Sequence, residues 1–350
     1  MSACALGKLR QTRVSCWRDY SALKFNWNTK ESFLKMRSEG KIYHDDWMNN
    51  GLPDKSVQLI IADPPYYKVK GEFDFVWKTF DDYLIDVEKW AIECKRLLAE
   101  NGTLFWYGMD RKIAYSQIIF DKYFELLGTL VWEKPSIANE WDTRRTFPER
   151  GQERILMYSN EIGMTGLEMI TEEYIKPRNP FSLYLTDEFK KAKVTVKEIA
   201  KLFPSRTGGL TGCVSNWLNG DNVITEEQYL KIREYFNNKY LRKEYEDLRK
   251  EYEGKRRPFN NYLGLTDVLR FSRVHNAIHP TQKPEDLTRS LILTCSRPND
   301  FVVVPFAGSG TECAMAVKEG RRFIGFDTEL KHVEYANKRC ETILAQPQLF

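Results

Sequence analysis

The chain has 350 residues, 42% of them hydrophobic and 29% charged, with a formal net charge of +4, which allows one large core and a smaller module. No apolar run approaches the about 18 residues of a membrane span, and the opening MSACALGKLRQTR lacks the apolar stretch of a signal peptide, so a cytoplasmic protein with no membrane partner is expected. Seven scattered cysteines with no CxxC spacing, beside only four histidines, predict neither a disulfide framework nor a metal site.

In chain order, IYHDD (42–46), VQLIIA (57–62), GTLFWYG (102–108), LLGTLVWEK (126–134) and RILMYSN (154–160) are short, apolar and bounded by turn residues, the pattern of strands. Between the second and third, FDDYLIDVEKWAIECKRLLAENG has apolar residues at helical spacing and is expected to stop at Asn101-Gly102. Continuous apolar strands alternating with helices predict a parallel α/β sheet covered on both faces.

The texture changes after residue 160. Between Lys176 and His275 there are 20 Lys and Arg against 13 Asp and Glu, leaving 33 against 36 for the rest of the chain. Such an excess fits a surface that meets phosphates, and equally a solvated helical face. TVKEIAKLF and LTGCVSNWLNG predict two short helices in the outline of a helix-turn-helix, with Thr195 as N-cap and Gly220 as stop. Thr225 and Gln228 then have the spacing of a capping box. From there one long helix is expected to run through the repeat LRKEYED–LRKEYEG, with Leu241 and Leu248 in register, to the basic cluster Lys255-Arg256-Arg257.

After Val274 the α/β pattern returns. In FAGSGTE, Gly308 and Gly310 follow a strand and open a helix, and Asp327 closes the next strand 17 residues beyond Gly310. Strand, glycine loop, helix, strand and acid in that order predict a nucleotide site in which the acid receives ribose hydroxyls. Cys313 stands where a dinucleotide fingerprint has its third small residue, and no GxxxxGK[ST] occurs. Only 23 residues follow Asp327, too few for the remaining strands of a doubly wound sheet, so those strands must be the ones before residue 160. The expected fold class is therefore α/β: a circularly permuted Rossmann-like sheet of about seven mostly parallel strands, carrying an inserted, mainly helical domain.

Asp63 lies just past the strand VQLIIA, at the sheet edge where ligands bind. Pro64 and Pro65 stiffen the backbone and lack N–H groups, leaving carbonyls with no competing amide beside them. A carboxylate, a bare carbonyl and the ring of Tyr66 suit a flat heterocycle with an exocyclic amine: two N–H donors to Asp63 and Pro64, the ring stacked on Tyr66. Acceptors aimed at those hydrogens localise the nitrogen lone pair toward an electrophile. If the glycine loop presents S-adenosylmethionine, the electrophile is a sulfonium methyl, and a base must leave its duplex to reach it. The competing reading of DPPY is a proline-stiffened turn.

These residues resemble the permuted, β-class S-adenosylmethionine-dependent DNA amino-methyltransferases, over about residues 40–160 and 275–345, through SVQLIIADPPYY, IHPTQKPEDL and VVPFAGSGTECAMAVKEGRRFIGFD. The resemblance implies a site-specific DNA adenine-N6 methyltransferase with Asp63, Pro64, Pro65 and Tyr66 as its catalytic tetrapeptide; a cytosine-N4 enzyme, an enzyme of the same fold acting on RNA or a small amine, and a degenerate DNA-binding module are the alternatives. It implies that His279, Thr281, Gln282 and Lys283 form a second cofactor motif. Asp46, with Asp45 as competitor, would meet the cofactor adenine, and Asp63, Phe306, Gly308, Ser309, Gly310, Thr311 and Asp327 would complete the cofactor site. Double-stranded DNA is the implied partner, with Lys134, Arg144, Arg145, Arg206, Ser215, Asn216, Lys255, Arg256 and Arg257 as candidate contacts, and Trp217 divided between groove and core. A cognate restriction endonuclease is a further partner in view, and the repeat helix leaves homodimer and monomer open. Residues 1–40 are then an N-terminal extension, 41–160 a catalytic half, 161–274 a basic helical target recognition domain and 275–350 a cofactor half. Two departures stand out: Val304 replaces the family's usual Asp before Pro-Phe, and Gln152-Glu153 replaces His-Glu.

Overall fold

The computed structural model describes residues 40–69, 72–109, 111–134, 151–160, 179–261, 263–275, 277–279 and 281–345. Arg144 and Arg145 lie outside them, as does nearly all of the N-terminal extension. The strands in chain order are β1 (Lys41–His44), β2 (Val57–Ala62), β3 (Leu98–Gly108), β4 (Glu125–Glu133), β5 (Gln152–Ser159), β6 (Val268–Arg270), β7 (Phe301–Val304) and β8 (Arg322–Asp327). The helices are α1 (Phe80–Leu97), α2 (Lys112–Phe120), α3 (Pro180–Ala192), α4 (Val196–Ala200), α5 (Cys213–Asn219), α6 (Glu226–Tyr235), α7 (Tyr245–Lys255), α8 (Glu285–Cys295), α9 (Thr311–Lys318) and α10 (Leu330–Leu344).

The eight strands form one sheet in the order β1-β8-β7-β2-β3-β5-β4-β6, parallel throughout except for β5, which runs antiparallel to both neighbours. Alternation along β2 sends Ile60 and Ala62 to one face and Leu59 and Ile61 to the other. The first face is covered by α1 and α2 through Val87, Trp90, Cys94 and Phe120, the second by α8, α9 and α10 through Leu287, Leu291, Cys313 and Ala336. The result is the doubly wound, permuted sheet that the motif order predicts, with β7 and β2 as adjacent strands (Leu59 opposite Val302, Ile60 opposite Val303). From β7 the chain winds to β8 on one side, and from β2 to β3 on the other. The crevice where winding reverses lies at the carboxyl ends of β2 and β7.

Helix α1 starts at a reciprocal capping box between Thr79 and Asp82, and Lys95 and Arg96 in its last turn complement the helix dipole. It ends at Leu97 rather than at Asn101-Gly102, because Leu98 is already extended and Leu98–Gly108 joins the sheet. Strand β6 had no sequence signal: it is three residues long and lies at the edge of the sheet, paired with β4.

Helices α3 to α7 share a separate core of Phe181, Leu185, Phe189, Trp217, Tyr229, Ile232, Leu241 and Leu248. Both predicted caps form: Thr195 opens α4 and Thr225 opens α6. Residues 201–212 separate α4 from α5, with a bridge between Pro204 and Leu210, so the two helices are joined by a longer turn than a compact helix-turn-helix has. Trp217 is 3% exposed and packs against Phe203, on the core side of its two readings.

The single long helix expected through the repeat is instead two, α6 and α7. Asn237, Asn238 and Leu241 take φ of 51°, 57° and 52°, the left-handed region that asparagine enters readily. Side chains satisfy the released backbone groups: the Tyr229 hydroxyl donates to the carbonyls of Leu241 and Lys243, while Glu188 and the Tyr184 hydroxyl accept the N–H groups of Leu241 and Lys243. Helix α7 docks on the sheet domain by its end: Asn101 donates to the Gly254 carbonyl and Arg297 to those of Glu253 and Arg256.

Candidate active site

The carboxyl end of β2 delivers Asp63 to the crevice. Its Oδ1 accepts the Tyr66 hydroxyl at 2.5 Å and its Oδ2 accepts Lys283 Nζ at 2.5 Å. The turn between Asp63 and Tyr66 is held from below by buried Asp74, which accepts the Tyr66 N–H at 2.5 Å, while the Asp74 carbonyl accepts the Lys68 N–H. A narrow cleft beside it is lined by Tyr66, Tyr67, Tyr83, Tyr107, Gly108, Met109, Lys112, Ile113 and Ser116. Tyr67 contributes its ring to that wall and to contacts with Phe80 and Tyr83.

Lys283 is 2% exposed, unlike the surface lysine its bare sequence context suggests. Its Nζ lies 3.2 Å from Glu153 Oε2 as well as against Asp63, and above the rings of Tyr107 and Tyr66. Glu153 in turn receives Lys134, giving a buried chain Lys134–Glu153–Lys283–Asp63–Tyr66. A buried lysine persists as a cation only with such partners. Burial works against its charge, but Asp63 and Glu153 outweigh it and hold the Lys283 pKa above its usual value. Glu153 stays below the usual carboxylate range because Lys283 and Lys134 overcome its burial. For Asp63 the balance goes the other way: burial, reinforced by Glu153, raises its pKa against the pull of Lys283.

Glu153 is a residue that sequence reading passed over as one half of a departure from pattern. Its signal is strand alternation: Glu153, Ile155 and Met157 share the face of β5 that packs into the second core, so an acid there is an inward-pointing charge that needs a partner.

The glycine loop sits across the crevice. Gly308 (φ +49°) donates its N–H to Asp327 Oδ2 at 2.8 Å, and a Cβ on it would lie 3.5 Å from the His279 ring. Gly310 (φ +70°) has no room at all, since a Cβ there would meet the Ala336 Cβ at 2.5 Å. Ser309 and Thr311 share a hydroxyl contact at 3.0 Å, and Arg339 donates to the Ser309 carbonyl and to Thr311 Oγ1. Phe306 packs edge-on against Trp47, Trp90 and Trp106 beneath the loop. His279 stacks edge-to-face on His332, and burial, with His332 adding, brings its pKa down to about 4; its Nδ1 contacts the N–H and hydroxyl of Thr281. Gln282 closes the same turn by accepting the Ile278 N–H. Asp46 and Asp45 are exposed where β1 ends: Asp46 caps the turn at Trp47–Asn49, and the Asp45 N–H donates to the Asp327 carbonyl. The structure therefore brings Asp63, Tyr66, Lys283 and Thr281 together, and sets the glycine loop, Asp327 and His279 beside them.

The predicted DNA contacts divide. Arg206, Ser215, Lys255 and Arg256 are exposed and Asn216 half-buried, all on the helical unit or its exit. One other, Lys134, departs from expectation. It is buried, bonded to Glu153 and placed over the Trp132 ring, so its ammonium is already committed. Arg257 is half-buried over Phe259 and within electrostatic reach of Cys295 on α8.

A family model described as DNA methylase matches residues 57–338. Among relatives, the DNA adenine methyltransferase YhdJ of Escherichia coli (strain K12) is 24% identical over 296 residues, 83% of this chain and 78% of that protein. Type II methyltransferase M1.MboII of Moraxella bovis is 28% identical over 290 residues, 81% of this chain and 89% of that protein. Among solved structures, PvuII DNA methyltransferase (cytosine-N4-specific) aligns with 87% of this chain and 89% of its own at 15% identity and a TM-score of 0.49. Because the family match runs unbroken from β2 through the helical unit into α10, the chain belongs to the DNA methylase family.

Proposed function

We propose that this protein transfers a methyl group from S-adenosylmethionine to the N6 amine of an adenine flipped out of duplex DNA. The observation that carries it is the position of Asp63, at the end of β2 beside the β7 glycine loop, with its carboxylate fixed by Lys283 and Tyr66. The name of the Escherichia coli relative, a DNA adenine methyltransferase, supports adenine as the base.

The residues at the glycine loop fit the cofactor: Gly308 and Gly310 present bare backbone, Asp327 closes the adjacent strand, and the Glu312 carboxylate just after the loop keeps an oxygen without a hydrogen-bond partner. When bound, S-adenosylmethionine supplies an electrophilic sulfonium methyl. Each Asp63 oxygen has two lone pairs and one protein donor, so either can still accept an N–H from the target amine. The Pro64 carbonyl is the second acceptor, and the ring of Tyr66 supports the base. Lys283 fixes the Asp63 rotamer, and Glu153 with Lys134 fixes Lys283. As the N–C bond formed, the methyl–sulfur bond would break with its electron pair left on sulfur, the amine would give up one proton, and Asp63, with its raised pKa, is the acceptor at hand.

The helical unit is read as the target recognition domain, with Arg206, Ser215, Asn216, Lys255, Arg256 and Arg257 toward the DNA and the buried, paired Lys134 removed from that set. To test the proposal, duplex DNA is incubated with the protein and methyl-labelled S-adenosylmethionine, then digested to nucleosides. Label in N6-methyladenine is the expected outcome; label in N4-methylcytosine moves the activity to the other amine, and no label in any nucleoside overturns the reading.

A further inference from the structure

Glu312 occupies the second position of α9, immediately after the glycine loop. It is 5% exposed, and its Oε1 makes no hydrogen bond. A buried carboxylate oxygen left without a donor is costly unless something else answers it. Around it, the groups within electrostatic reach are Asp63 from β2, Tyr107 from β3, Lys283 ahead of α8 and Arg339 from α10. Arg339 already serves Glu285, Thr311 and the Ser309 carbonyl. The strand entering the glycine loop ends on buried Val304 and brings no acid of its own.

Asp63 and Glu153 are each in ion-pair contact with a buried ammonium group, Lys283 for both and Lys134 for Glu153 as well. Glu312 has an oxygen with no hydrogen-bond partner, and the nearby Arg339 is bonded to Glu285 instead. S-adenosylmethionine brings one net positive charge, and its demethylated thioether product, S-adenosylhomocysteine, brings none.

We propose that Glu312 is the counter-charge for the cationic cofactor, and that it lets the site hold S-adenosylmethionine in preference to S-adenosylhomocysteine; this rests on the cofactor reading of the glycine loop. Burial, with Asp63 adding, lifts the Glu312 pKa to about 7, so near neutrality it is part-protonated until a cation arrives. Binding of the cation then releases a proton, and cofactor affinity rises as pH rises through that value. Of the neighbours, Lys283 stays charged, Tyr107 stays neutral, and His279, at about 4, is already neutral; Asp63, whose pKa is also raised, is the other carboxyl able to release a proton, and Glu312→Gln separates the two.

The test is titration calorimetry of the full chain with each ligand at about pH 7, in two buffers of different ionisation enthalpy, for the native protein and for Glu312→Gln and Glu312→Asp. The expected result is a fractional proton released with S-adenosylmethionine and none with S-adenosylhomocysteine. Glu312→Gln should lose the release and weaken S-adenosylmethionine about tenfold, with S-adenosylhomocysteine changed less than about threefold. Glu312→Asp, which keeps the charge, should retain release and preference. Equal weakening of both ligands in Glu312→Gln, or proton release that persists in it, overturns the proposal. Failure of the native protein to bind either ligand overturns the cofactor reading beneath it as well.

Discussion

Lys283 Nζ lies 2.5 Å from Asp63 Oδ2, a contact that joins residues 220 positions apart and ties the two sequence halves of the sheet at the crevice where its winding reverses. The same ammonium also pairs with Glu153, so one lysine compensates two acids. Replacing it with an apolar isostere leaves Asp63 without its cation. Lys283→Met is expected to cost about 3–5 kcal/mol in urea unfolding and to depress methyl transfer by more than about a hundredfold. A variant of native stability and activity would show that the contact does no more than fill space.

Tyr66 has two separable features, a ring against the cleft and a hydroxyl on Asp63. Tyr66→Phe keeps the ring and should lose less than about tenfold in kcat, while Tyr66→Ala removes the stacking face, worth about 1–3 kcal/mol per base, and should lose far more. Equal losses in both would assign the role to the hydroxyl.

The pH dependence has a definite sign. Asp63 can take up the amine proton only when ionised, and burial raises its pKa above the ordinary 3.8. Single-turnover methyl transfer should therefore fall as pH drops, with its midpoint above that value. The hydrogen bond from Tyr66 favours the ionised form, so Tyr66→Phe should move the acid limb to higher pH. A limb that stays in place, or moves down, contradicts the assignment of that limb to Asp63.

The doubly wound sheet was legible because its signals are local: VQLIIA is apolar but for Gln58 and becomes a strand buried on both faces, and FAGSGTE becomes the loop and helix start that follow a strand. The adjacency of β2 and β7 followed from motif order, since both motifs need the same sheet edge. What stayed hidden was set by tertiary partners. The break between α6 and α7 depends on Tyr184, Glu188 and Tyr229 receiving or supplying hydrogen bonds to residues 241–243, and a heptad repeat carries no trace of that. Lys134 is ambiguous as a bare residue and becomes an internal cation only because Glu153 pairs with it from the neighbouring strand.

Gly310 is the position where the loop tolerates least. Its φ of +70° and the 2.5 Å that would separate a new Cβ from Ala336 both oppose a side chain. Gly310→Ala is expected to cost about 1–3 kcal/mol in stability and to weaken S-adenosylmethionine binding by about tenfold or more, read by calorimetry. Unchanged binding would mean that the loop does not touch the cofactor.

The most direct test of the central claim is a crystal structure of the protein with a duplex containing its methylation site and a non-reactive cofactor analogue. The account predicts one adenine outside the helix, its N6 within about 3 Å of an Asp63 carboxylate oxygen and of the Pro64 carbonyl, with its ring against Tyr66. An adenine that remains stacked in the duplex, or a flipped base whose amine faces away from Asp63, would contradict it.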